Sequence, residues 1–258
     1  MKIPPKKLLI CTPASGGLIT TQYFQSFCEM IFRFYADENR PNISLVPYTL
    51  SKESLIPRGR NRCAMKAVLE GYDKLLFIDA DMGWTYEDFC RLMRSDKEIV
   101  GGTYPGRHFP IGLMFNPLEE HSLDIGNDRI RKVEGFAEYA RKYASPEGEV
   151  EVTHIPTGFM LIDRTALAKL SHVRPQYAEW DSITGKSEVF IDYFPSGVVP
   201  GTTDYESEDW GFCRIAREAG IKVYLNVHCV NTHTGSHEYA FGQHVAHGQR
   251  PLIVMGKN

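Results

Sequence analysis

Two aspartates two positions apart, Asp79 and Asp81, are the residues of this 258-residue chain best placed to do chemistry. They follow directly on Leu75 to Ile78, four apolar residues in a row that predict a strand buried on both faces. Carboxylates at the carboxyl end of a central strand stand where open α/β sheets bind ligands. In a regular strand both side chains point to one face, and a turn at Gly83 fans them around an ion instead. Either arrangement suits a divalent cation carrying phosphate oxygens. Spacing alone does not decide the matter. A D-x-D tripeptide arises about once by chance in a chain of this length and ordinary acidity, and helix starts attract aspartate for capping.

Other stretches carry weaker signals. Thr12-Pro13-Ala14-Ser15-Gly16-Gly17 is a glycine-rich turn after a first strand, a common resting place for a nucleotide. It lacks the G-K-[ST] of a phosphate loop and the G-x-G-x-x-G of a dinucleotide fold. Arg58 and Arg60 fall in the first turn of a predicted helix, where the macrodipole disfavours cations. That placement suggests an anion nearby, against the plain alternative of a solvated helix start. Glu208 and Asp209 follow Ser207 at the start of another helix, where capping and dipole alone account for both acids. A loop dense with histidine comes last, holding His228, Asn231, His233, Thr234, Gly235, Ser236 and His237.

The elements that must position these residues read as follows. Lys7 to Cys11 is a short strand, and Leu18 to Tyr35 a helix whose recurring aromatics, from Tyr23 to Tyr35, are assigned to core packing. Ile43 to Leu50 is a second strand, and a helix follows Ser51 to Asn61 through Leu69. Thr85 and Asp88 form a capping box opening a helix over Tyr86 to Ser95. Glu98 to Tyr104 is a further strand. The βα alternation predicts a parallel sheet covered on both sides, making up about residues 1–106. From Arg107 to Glu151 the pattern is irregular, and periodicity leaves Phe136 to Tyr143 open between helix and strand. Val152 to Asp163 is strand-like around Gly158, a glycine that suggests close approach of ligand or backbone. Thr165 to Leu170 is a short helix and Val189 to Phe194 a strand. Ser207 to Gly220 is a helix, and Val223 to Val227 a strand.

The totals set limits. Apolar residues at 43%, charged residues at 24% and a net charge of −3 describe an ordinary globular chain, with no sign of a polyanion or membrane surface as main partner. The length fits one large domain or two joined halves, about 1–106 and 107–258. Apolar runs are too short for a transmembrane helix, and the start lacks the apolar stretch of a signal peptide. Six scattered cysteines without a C-x-x-C pair predict free thiols in a reducing, cytoplasmic compartment.

Taken in order, the C-T-P-A loop, R-G-R-N, I-D-A-D after an apolar strand, V-G-G-T-Y-P, P-T-G-F-M-L-I, S-E-D-W-G-F-C-R and a late H-T-G resemble a glycosyltransferase of the GT-A fold, the group that includes glycosyltransferase family 2. The resemblance runs from about Leu8 to Tyr239. It implies an α/β fold with a GT-A-like Rossmann-type sheet, a nucleotide-sugar-binding half and a mixed-sheet acceptor half. It implies a divalent ion, manganese or magnesium, with Asp81 as direct ligand, Asp79 touching ribose or ion, and His233 completing the shell, His228 and His237 being alternatives. Thr12, Pro13 and Ala14 would line base and ribose. Arg58, Arg60 and Asn61, with Ala80, would belong to the donor site. Gly102, Thr103 and Tyr104 would lie at the donor sugar, and Thr157 and Gly158 at sugar or acceptor. Trp210 would offer a sugar an apolar face. Asp209, beside Glu208, would be the general base of an inverting transfer.

The acceptor implied is a glycan, a lipid-linked sugar, a protein or a modified nucleic-acid base, the last because of basic residues Arg131, Lys132, Arg141 and Lys142. The chain departs from the membrane-bound synthases of that group in showing no amphipathic or transmembrane C-terminal segment. Two other readings compete. A sugar-nucleotide-forming nucleotidyltransferase would carry a basic, glycine-rich first loop, and Ala14-Ser15-Gly16-Gly17 has no basic residue. A non-catalytic nucleotide-sugar or glycan-binding module would have no need to keep both acidic pairs and the late histidine.

Overall fold

The computed structural model of the protein describes residues 4–107, 111–181, 185–235 and 238–240. The first part of the chain runs β1 (Lys6–Ala14), α1 (Thr21–Ala36), β2 (Ile43–Ser51), α2 (Ile56–Leu69), β3 (Lys74–Ile78), β4 (Met82–Gly83), α3 (Tyr86–Arg94) and β5 (Ile99–Thr103). Next come β6 (Asn116–Pro117), α4 (Glu119–Ile125), α5 (Asn127–Ile130), α6 (Val133–Tyr143), β7 (Glu149–His154), β8 (Phe159–Asp163) and α7 (Arg164–Ser171). A hairpin of β9 (Gln176–Asp181) and β10 (Lys186–Ile191) and the short pair β11 (Gly197–Val198) and β12 (Tyr205–Glu206) lead to α8 (Glu208–Glu218). The last strands are β13 (Val223–Val230), β14 (Thr232–Thr234) and β15 (Glu238–Tyr239).

Among the described residues, eight strands form the main sheet in the order β2-β1-β3-β8-β5-β13-β7-β6. The apolar run of β3 explains its central place. Leu75 and Phe77 pack into one core layer with α2, α7 and α8, while Leu76 and Ile78 pack into the other with α1 and α3. A strand with two apolar faces needs cover on both, and it has it. Pairings of β1 with β2 and β3, and of β5 with β13, are parallel. The expected contiguous parallel sheet is nevertheless interrupted. β8 runs antiparallel between β3 and β5, paired to both. Its residues Phe159, Leu161 and Met160, Ile162 alternate between the two core layers, so it packs into both as its neighbours do.

Other expectations are corrected locally. Val152 to Asp163 is two strands, β7 and β8, separated by a turn through Thr157-Gly158. The open segment Phe136 to Tyr143 is helical, within α6, and the strand expected from Val189 lies earlier, as β10. The stripe of α1 is only partly core. Tyr23, Met30 and Phe34 are buried, whereas Phe24 and Tyr35 are 59% and 61% exposed. The capping box of Thr85 and Asp88 is present. All six cysteines are free thiols. Among the described residues no helix is long and apolar enough to cross a membrane.

Candidate active site

The chain turns directly after β3. Asp79 N donates to Gly158 O at 3.1 Å and Met82 N to Asp79 O at 3.1 Å, which closes a tight loop around Ala80. Ala80 acts through its backbone, accepting from Thr20 N at 2.9 Å and so tying the start of α1 to the acidic loop. Asp81 O accepts from Thr234 N at 2.8 Å, and β4 pairs with β14. The histidine segment is thereby laid against the second aspartate. Thr157-Gly158, in the turn before β8, reaches the acidic loop through the bond from Asp79 N to Gly158 O.

The two aspartates then face different partners. Asp79 sits 3.0 Å from Arg60 Nη2, and Arg60 Nε lies 3.1 Å from Glu208. The guanidinium, its side chain 4% exposed, therefore bridges the D-x-D loop to the start of α8 and rests over the Phe77 ring at 5.2 Å. Burial opposes its charge, but Asp79 and Glu208 together hold its pKa above the ordinary arginine value. The anion that Arg60 implied is the chain's own pair of carboxylates. Arg60 Nη1 is buried and has no hydrogen-bond partner.

Asp81 faces Arg107 and His233. Arg107 Nη2 donates to Asp81 Oδ2, and Arg107 Nε donates to His233 Nε2 at 2.8 Å. His233 Nδ1 donates to Pro105 O at 3.1 Å, which assigns the proton to Nδ1 and leaves the Nε2 lone pair to accept from Arg107 Nε. His233 Nε2 and Asp81 Oδ1 are 3.7 Å apart, and that Oδ1 is buried with no hydrogen-bond partner. Burial, with Asp79 adding to it, pushes the Asp81 carboxyl above its usual range. Burial, with Arg107 adding to it, holds the imidazole below its own.

Asp209 occupies the first turn of α8 beside Glu208. Ser207 is the N-cap residue, yet its side chain makes no capping bond and donates instead to Asp209 Oδ1, which also accepts from Trp210 N at 2.9 Å. Burial raises the Asp209 carboxyl above the ordinary aspartate value. Tyr104 connects the parts. It is buried, its hydroxyl accepts from Gly158 N at 3.2 Å, and its ring stands edge-on to His233 with centroids 4.8 Å apart. A Cβ on Gly158 would lie 2.5 Å from the Tyr104 hydroxyl, so the close approach this glycine permits is to a side chain of the site.

Several expected donor-site residues have structural partners within the chain. Asn61 donates to Tyr177 and Asp192 and accepts from Phe194 N at 2.9 Å, anchoring α2 to the β9–β10 region. Arg58 pairs with Glu53 at 2.8 Å, away from the acidic loop. Thr12 is buried against the Tyr23 hydroxyl at 2.5 Å and Ala14 is buried, while Pro13 is half-buried. Thr103 donates to Met114 O at 3.1 Å. Gly102 is a packing position, because a Cβ there would meet Cys229 O at 2.6 Å. Thr157 is buried in the turn beside Asp79. Trp210 stacks on His154 at 5.3 Å, so one of its faces is covered. His228 packs at Gly148, away from Asp81, and His237 lies outside the described residues. Of the basic residues considered for nucleic acid, Arg131 is bonded to Asn116 and Lys142 to Asp124.

Sequence reasoning missed Arg107 and the Pro105 carbonyl. The available signal was position: both follow β5, within four residues of its end, at the same edge of the sheet as the acids.

The groups that could meet a divalent cation are carboxylates and one imidazole. Asp79 and Glu208 are paired with the guanidinium of Arg60 and Asp81 with that of Arg107, while Asp209 is bonded to Ser207 and Trp210 N. Asp81 Oδ1 has no partner, and with Arg107 withdrawn from His233 Nε2 that oxygen and the imidazole lone pair would suit manganese or magnesium. Among the described residues no three His, Cys, Asp or Glu side chains gather into a full metal cluster, so substrate oxygens and water would have to complete the shell.

No protein-family model and no curated protein matches the sequence. Solved structures do. A197 from STIV aligns over 95% of this chain and 100% of its own with a TM-score of 0.52 at 15% identity. GalNAc-T7, solved with UDP, GalNAc and Mn2+, aligns over 92% of this chain and 44% of its own, with a TM-score of 0.43 at 10% identity. A putative glucose-1-phosphate thymidylyltransferase from Bacillus anthracis, in complex with a sucrose, covers 66% of this chain and 76% of its own, with a TM-score of 0.32 at 9% identity. The fold is GT-A-like, a large mixed sheet between helical layers.

Proposed function

We propose that this chain transfers a sugar from a nucleotide-sugar donor to an acceptor hydroxyl, with a divalent cation held by Asp81 and His233 and with Asp79 behind them. The observation that carries the reading is the partnerless Asp81 Oδ1 beside a histidine whose tautomer is set by Pro105 O. A buried carboxylate oxygen without a donor is costly, and a bound cation removes that cost. The ion, manganese or magnesium, would act as a Lewis acid on the leaving diphosphate. Arg60 contributes a buried positive charge with one free donor group, suited to an oxygen of the donor.

Asp209 is assigned the proton from the acceptor hydroxyl. Its raised pKa supports that role, since a stronger base accepts a proton more readily once the hydroxyl begins to acidify. Glu208 holds Arg60, and through it the register between α8 and the D-x-D loop. A single displacement with one base would invert the anomeric configuration. Glycan, lipid-linked sugar, protein and modified base remain the acceptor classes of this proposal.

The test is nucleoside diphosphate release from a panel of nucleotide sugars, with manganese, with magnesium and with EDTA. The expected result is divalent-dependent release from at least one donor, abolished in Asp81→Ala. Release that ignores both EDTA and the Asp81 substitution would overturn the metal site.

A further inference from the structure

Arg107 stands on the two groups that the proposed cation needs. Its Nη2 donates to Asp81 and its Nε to His233 Nε2 at 2.8 Å. An imidazole nitrogen has one lone pair, and Nε2 cannot accept from Arg107 while ligating a metal. The same argument applies electrostatically, because a guanidinium and a divalent ion oppose each other across the same carboxylate.

We infer that Arg107 is a built-in competitor of the metal, which holds Asp81 and His233 together in the metal-free protein and leaves as the ion arrives. This rests on the metal reading of the same site. The surroundings are built for such an exchange. Pro105 O fixes the histidine in the tautomer that serves both occupants, so the imidazole need not turn or exchange a proton. Tyr104 braces its ring. The side chain of Arg107 is 47% exposed, so rotation about its own methylene stem carries the charge into water without a backbone change. Gly235 leaves room for that stem, since a Cβ there would come within 3.0 Å of Arg107 Cδ. Asp81 Oδ1, the oxygen that Arg107 leaves without a partner, is then the first contact open to an approaching ion.

The experiment measures manganese binding itself, by calorimetry and by the electron paramagnetic resonance of free manganese, without and with a nucleoside diphosphate, against a protein-free blank. Wild type is compared with Arg107→Ala, Arg107→Lys and Asp81→Ala, each checked for native fold by circular dichroism. Removing an exposed pair of this kind should tighten manganese binding roughly three- to tenfold in Arg107→Ala. Lysine, a single point charge that cannot fork between both partners, should fall between. If wild type binds manganese through Asp81 but Arg107→Ala binds no tighter, the competition is wrong and the metal site stands. If neither protein binds manganese, with or without the nucleoside diphosphate, the metal reading fails and the inference falls with it.

Discussion

Substituting Asp209 by asparagine separates a base from a helix cap. Asp209 Oδ1 accepts from the Ser207 hydroxyl and from Trp210 N at 2.9 Å, and an amide oxygen can accept both. Shape and local bonding are therefore kept. What changes is charge. Burial raises the folded-state pKa of this carboxyl, so its favourable contribution to folding is complete below the unfolded value of about 3.9 and is lost as pH rises through the folded one. At neutral pH wild type holds a charge that the interior disfavours, and asparagine removes that penalty. Against this, the first-turn charge favours the helix dipole by about 0.3 to 1 kcal/mol. The two effects oppose, so the variant should lie within about 1 kcal/mol of wild type at pH 7. Its stability relative to wild type should be higher at pH 7 than at pH 4. Urea unfolding at the two pH values measures this. Transfer should fall by about 10² to 10⁴ while donor binding persists, because a general base typically contributes that much. Near-normal transfer would return Asp209 to the helix cap. A variant weaker at pH 7 than at pH 4, relative to wild type, would refute the burial argument, and a product retaining the donor's anomeric configuration would exclude the single displacement.

Arg60→Met should destabilise the protein by about 2 to 4 kcal/mol in urea melts, somewhat below a fully buried pair because Asp79 and Glu208 keep partial access to water. A loss below about 0.5 kcal/mol would mean that the bridge is incidental. Thiol titration should recover six free cysteines in denaturant without reductant, and in the native protein only half-buried Cys28 should react fast, ahead of the five buried thiols.

The parts of the site that follow from local pattern were legible in the sequence. The apolar run of β3 and the acids at its end needed only the period of a strand and the polarity of Asp. The capping box before α3 is likewise a four-residue matter. Long-range placement was not legible. Asn61 is expected at the donor site through the R-G-R-N resemblance, and nothing local shows that its amide bonds Asp192 and Phe194 N, more than a hundred residues away. Arg107 carries no local mark either, and only the pairing of β4 with β14 brings His233 within its reach. The insertion of β8 escaped for a related reason, since an apolar strand buried on both faces reads the same in either direction.

That insertion governs when the protein can fold. β3 and β5 are synthesised well before β8, and each presents to it a row of backbone groups that nothing earlier in the chain satisfies in the final sheet. A nascent chain that has just released Thr103 therefore holds two apolar strands with open edges, a state prone to wrong pairing. The loop at Asp79 inherits the same delay, because its backbone bond to Gly158 also comes from the later segment. Severing the chain near residue 106 would leave a fragment without the middle of its own sheet, and the acidic loop would have lost one of its anchors before any ligand arrived.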